Sequence, residues 1–160
     1  MGLAELSSIL WRERDMLELL LFKLEEEQLV LAAGRTRWLA HATREVEVVL
    51  EQIRLTEVLR AVEVAAVGPA LGLGTDPSLG QIADAADEPW SDLFHQHRKT
   101  FRALTAEITA LADANRELLT AGQRAVQETM LVVSGSAQTY GRRGETVAAT
   151  PRTRLIDEAM

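Results

Sequence analysis

Cysteine is absent from the chain, which excludes a disulfide framework and thiol chemistry and fits a reducing cytoplasm. Proline occurs four times and aromatics make up only 4% of residues. With 47% of the chain still apolar, the hydrophobicity comes from Ala, Leu and Val, and that favours packed helices over sheet. Cationic surface is also scarce. Lys and Arg total 17 against 24 Asp and Glu, a formal charge of −7, and the acidic excess falls on residues 3–33 and 68–90. No basic stripe remains to neutralise phosphates, so nucleic acid is not an expected partner. Long apolar runs are missing too. The leucine-rich MLELLLF is interrupted by Glu18 and is far too short to span a bilayer. The N-terminal MGLAELSSILWRERD has no cationic leader region and meets Glu5 early, which does not read as a signal peptide. The expectation is a soluble protein with no membrane insertion, and 160 residues hold one domain with or without a tail.

What the chain does have is helical periodicity. Positions 3, 6, 10, 13, 17, 20, 24, 27 and 31 alternate steps of three and four, and all are Leu except Glu13 and Glu27. Such a stripe is one face of a long helix packing at low crossing angle. Ile9, Met16, Leu21 and Phe22 widen it, as a multi-helix bundle requires. Gly34 after LVLAA takes the place of a C′ glycine. A second helix follows from Thr36 to about Val67, with Trp38, Leu39, Ala42, Val46, Val49, Leu50, Ile53, Leu59, Val62 and Ala66 as its apolar side. The short connection makes the two an antiparallel hairpin.

The linker 68–77 (GPALGLGTDP) precedes a short helix over 78–86, capped by Ser78. Its Gly-x-Gly follows no strand and carries Asp76, so it is not a phosphate loop. The last helix runs over 90–133, opened by Pro89. Trp90, Phe94, His97, Phe101, Leu104, Ile108, Leu111, Asn115 and Leu118 keep the same frame, and then the stripe slips to Leu119, Val126, Met130 and Val133. An unbroken helix of that length outruns the hairpin. Either its last turns overhang, or it breaks near Gly122 and folds back as a further short element. Both place Val126, Met130 and Val133 near a bundle end, where apolar surface invites a partner helix. Residues 134–160 have no sustained period and read as a mobile tail. The fold class is therefore all-α: an antiparallel bundle domain, 1–133, of three long helices and a short one, with a flexible C-terminal tail.

Catalysis finds no support. His95 and His97 stand two apart and point away from each other on a helix, so they do not share a metal. His95 reads as solvent-facing and His97 as a histidine tolerated on the seam. Glu25, Glu26 and Glu27, and Glu45, Glu47 and Glu51, read as solvated faces. The serines sit in no nucleophile motif. No enzyme, metal or cofactor is expected. Asn115, inside the apolar frame, has two readings: a buried amide that fixes register, or the point where core packing ends and client binding begins.

LSSILWRE with LFKLEEEQLVLAAGR, the Ser-Leu-x-x-Ile turn at Ser78, LADANRELL and the terminal TYGRRG occur in an order that resembles the FlgN-type flagellar export chaperones. The resemblance implies a cytoplasmic helical carrier without a nucleotide of its own. Such a carrier binds the C-terminal helical ends of hook-filament junction proteins, keeps them monomeric and delivers them to the flagellar type III export gate. It places the client surface toward the last helix, here Leu118, Leu119, Val126, Met130 and Val133. It also makes Tyr140 the match for a C-terminal tyrosine that docks to the gate protein. Arg142 and Arg143 flank that ring and suit an acidic partner. The chain departs from the pattern in its glycine-rich linker and in lacking a second asparagine beside Asn115. The rival reading is a structural coiled-coil protein that uses the same apolar stripe of the last helix for homodimerisation.

Overall fold

The computed structural model describes residues 2–140, with side chains as far as Ser136. It contains four helices and, among the described residues, no strand: α1 (Leu3–Ala32), α2 (Thr36–Ala70), α3 (Leu79–Ala85) and α4 (Trp90–Tyr140). The chain divides into two units, 1–116 and 117–160.

In the first unit the α1–α2 hairpin is antiparallel, as its cross-links show. Arg60 pairs with Glu13, Thr56 with Met16, Lys23 with Glu45 and Thr43 with Glu27, so the partner number falls as the residue number rises. The turn is built by Gly34 at φ +65°. Its N–H donates to Leu31 O at 3.1 Å and that of Arg35 to Val30 O at 3.0 Å, the paired bonds that satisfy the carbonyls of a helix end when a left-handed residue follows it.

The same device ends α2. Gly72 lies at φ +74°, its N–H reaches Pro69 O at 3.1 Å, and Leu73 N–H reaches Gly68 O at 2.8 Å. The helix thus passes through Pro69 and stops three residues after the expected Val67, because the left-handed stop is Gly72 and not Gly68. Gly68 has a packing role instead: a Cβ there would run into the Gly74 carbonyl, which folds back over it. At α3 the Ser78 hydroxyl accepts from Gln81 N–H at 3.2 Å while Gln81 Oε1 accepts from Ser78 N–H at 2.8 Å, a reciprocal cap.

Two apolar clusters fill the bundle. Leu6, Leu10, Val67, Ile82, Ala83, Ala86 and Phe94 close one end, with α3 as the plug. Leu20, Leu24, Val46, Val49 and Ile53 form the other, with Ile108, Leu111 and Ala112 of α4 against it. Between them lies a polar layer. Glu13 is 3% exposed and takes both bonds of Arg60 Nη1, at 2.9 and 3.0 Å. Thr56, equally buried, donates to Met16 Sδ and Gln52 O. Burial raises the Glu13 pKa, and the Arg60 cation opposes the rise.

That layer corrects the expected face of α2. The buried positions are Ala42, Val46, Val49, Ile53, Thr56, Val67 and Gly68. Trp38, Leu59, Val62 and Ala66, read as core, are exposed. The frame runs through Thr56 and Arg60 because Met16 and Glu13 offer them partners.

Candidate functional site

Within the first unit, the α4 frame is covered as far as Asn115. Phe94 and His97 are fully buried, Asn115 is 3% exposed, and Phe101, Leu104, Ile108 and Leu111 are half-buried. The His97 ring stands edge-on to Trp11 at 4.8 Å and stacks on Phe101 at 6.1 Å. Neither of its nitrogens has a hydrogen-bond partner. Burial, and then the Arg14 cation, push its pKa down to about 4, so it is neutral at physiological pH. His95 is exposed, with Nε2 3.1 Å from Asp84 Oδ1. These are the expected places for the two histidines.

Asn115 Nδ2 donates to Leu24 O at 2.9 Å and to Glu27 Oε1 at 3.1 Å, while its Oδ1 has no partner. Here the expectation for the carboxylates needs correction. Glu27 is not a solvated residue but a half-buried acceptor that also takes the Thr43 hydroxyl. The two interruptions of the α1 leucine stripe are therefore the two points where polar groups from other helices dock: Glu13 to Arg60, and Glu27 to Asn115. The signal was in the sequence as an acidic residue at a stripe position, but its partners lie 47 and 88 residues away.

The second unit is described over 117–140. All five residues expected to meet a client lie here. Leu118 is 37% exposed, Leu119 41%, Val126 62%, Met130 63% and Val133 59%. Leu119, Val126, Met130 and Val133 fall on one side of the helix by spacing, because steps of seven, four and three residues each return to nearly the same angle. Leu131 and Val132, also exposed, extend the apolar surface beyond that stripe. Across Gly122 the helix is continuous, so no break or fold-back occurs there. It also runs through Ser134 to Tyr140, where the mobile segment had been expected to begin; adding a residue to an existing helix carries no nucleation penalty, and Ala137 and Gln138 are good helix formers. Tyr140 is the last residue described. Arg142 and Arg143 lie outside the described residues.

No three His, Asp or Glu side chains among the described residues come together as a metal site, and no helix there is long and apolar enough to cross a membrane. What the described surface offers is an uncovered amphipathic helix. The family model described as FlgN protein matches residues 1–148. The chain belongs to the FlgN family. It is thereby a flagellar export chaperone in general terms, from a family of chaperones and not of enzymes. No curated protein and no solved structure matches the chain.

Proposed function

We propose that this FlgN-family chain holds its client on α4 from Leu118 to Val133, and that the client is the C-terminal helical region of a hook-filament junction protein. The single observation that supports the reading is the exposure of Leu119, Val126, Met130 and Val133 on one side of a helix. Single exposed leucines are ordinary on a soluble protein, but a contiguous stripe of this length is a docking surface. A client helix with apolar residues at the same spacing would lie along it. Each Val, Leu or Met that it covers fully contributes about 1.5–3 kcal/mol before the cost of ordering both partners. The net is an affinity suited to cargo that is carried and released in the cytoplasm. Delivery to the export gate protein is assigned to Tyr140 with Arg142 and Arg143.

The test is a titration of the full chain with a peptide spanning the last helix of a junction protein. Val126→Glu with Met130→Glu is expected to weaken binding by about two orders of magnitude, since each charge would be buried unpaired. Tyr140→Ala is expected to leave that affinity intact and to reduce binding to the gate protein. An unchanged client affinity in the double variant would remove the surface from this role.

A further inference from the structure

Besides α4, α2 presents a long uncovered apolar face. On α2, Val48, Leu55, Val58, Leu59 and Val62 are exposed by 52, 60, 63, 49 and 66%, and Ala65 and Ala66 are exposed beside them. This face exists because the buried frame of α2 passes through Thr56 and Arg60, leaving its larger aliphatic residues outside. Their arrangement is regular. Val48, Gln52, Leu55, Leu59, Val62 and Ala66 alternate steps of four and three, which is the seam of a two-helix coiled coil. No charge interrupts the seam from end to end. It covers about 27 Å at 1.5 Å per residue.

We infer that this face is where two copies of the chain pair, through antiparallel α2 helices related by a two-fold axis. The argument for a second copy is threefold. A seam with this period fits a partner with the same period, and the chain supplies one at equal concentration. A two-fold centred between Leu55 and Leu59 sets Leu55 against Leu59 of the other copy and Val48 against Ala66. Charge also allows it: Glu51 on the flank then faces Ala65 of the other copy, and the parallel alternative would bring Arg44 toward Arg44. The area is enough but not generous. The exposed parts of these side chains amount to roughly 300 Å² of apolar surface per copy, taking about 60–120 Å² for a fully exposed Val or Leu. A pair of that size, with the usual polar share, covers about 1,000 Å² in total, the lower edge of specific interfaces. The dimer is therefore weak and reversible, and its seam uses no residue of Leu118–Val133.

Sedimentation equilibrium of the full chain from about 1 to 500 μM tests this. The unmodified protein is expected to dimerise with a Kd on the order of tens of micromolar. Leu55→Glu with Leu59→Glu should raise that constant at least about tenfold without loss of helicity, both positions being exposed, whereas Val126→Glu with Met130→Glu should not change it. Because the chain has no cysteine, introduced thiols report on geometry directly. Val58→Cys, next to the two-fold, should form a covalent dimer much faster than Ser8→Cys on the exposed side of α1. Val48→Cys should cross-link to Ala66→Cys in a mixture and not to itself. A protein that stays monomeric over the whole range overturns the inference. So does a dimer lost on changing Val126 and Met130 but not Leu55 and Leu59, or a Val58→Cys variant that cross-links no faster than the Ser8→Cys control. None of these readouts depends on a client, so the proposed function stands or falls separately.

Discussion

Residues 90–115 and 118–133 of α4 are similarly rich in apolar side chains, yet Phe94 is fully buried and Met130 is 63% exposed. Composition does not separate them. In the first stretch Phe94, His97, Phe101, Ile108 and Leu111 pack against other helices, and even the polar member, Asn115, finds Leu24 and Glu27. In the second, the positions that would continue the frame are Gly122, Ala125 and Thr129, and the Thr129 hydroxyl donates to Ala125 O of its own helix. The apolar residues sit to one side of that frame. A stretch of helix is covered or exposed according to what packs against it, and the two can follow each other without a break in the helix.

The sharpest way to test the contrast is to delete the same kind of mass from both stretches. Phe94→Ala removes a fully buried ring from the cluster of Leu6, Leu10 and Ile82, and is expected to cost about 3–5 kcal/mol in urea unfolding. Met130→Ala should change stability by less than about 0.5 kcal/mol. Comparable losses at the two sites would mean that residues 118–133 are part of the folded core after all.

The periodic features were legible because they are local. Gly34 as the helix stop, Ser78 as a cap and the α4 frame up to Asn115 follow from spacing and turn chemistry alone. Two things were not. The outward face of α2 was read as core because Leu59 and Val62 are more apolar than Thr56 and Arg60. The choice between the two faces is made by Glu13 and Met16, which lie on another helix and leave no trace in the periodicity of α2. The docking role of Glu27 was hidden in the same way. Gly68 and Ser134 were read as the starts of linker and tail from residue type, whereas α2 ends where Gly72 supplies a left-handed residue and α4 runs on past a Ser-Gly-Ser stretch. The slip in the stripe after Leu118 was legible from spacing alone, because Gly122, Ala125 and Thr129 take the positions that would keep the frame.

Acid should act on the covered stretch alone. His97 is held neutral by burial among Trp11, Phe94 and Phe101 and by the Arg14 cation, with its pKa pushed down to about 4 from the ordinary histidine value of 6.5. The unfolded chain therefore takes up a proton between those two values that the folded chain refuses. The sign follows: this stability is complete above about pH 6.5 and is lost as the pH falls toward 4, to the extent of ~3 kcal/mol over the whole window. Glu13, with its pKa raised, works the other way above the ordinary carboxylate range, and its Arg60 partner keeps that opposition small. Urea midpoints between pH 4 and 7 should thus fall with acid in the unmodified protein and flatten in His97→Leu, which also removes two buried nitrogens without partners. A slope unchanged by His97→Leu would assign the acid sensitivity to another group.

The smallest effect expected within the covered stretch, and the most informative about the boundary, is at Asn115. Its amide makes two hydrogen bonds, but Leu24 O lies within α1 and Glu27 keeps the Thr43 hydroxyl, so neither partner is orphaned when the amide goes. Its own Oδ1 is buried without a partner, a cost that Asn115→Leu would relieve while adding apolar contact beside Leu111. The gains and losses offset to within about 1 kcal/mol. What the leucine cannot do is distinguish one alignment of α4 on α1 from another shifted along the stripe, because every neighbouring frame position is also apolar. Asn115→Leu should therefore keep its unfolding midpoint and broaden the amide resonances of residues 104–115, as α4 samples more than one alignment. A loss of more than ~2 kcal/mol with sharp resonances would mean that the amide holds the helix in place by its bond energy and not by penalising the wrong register.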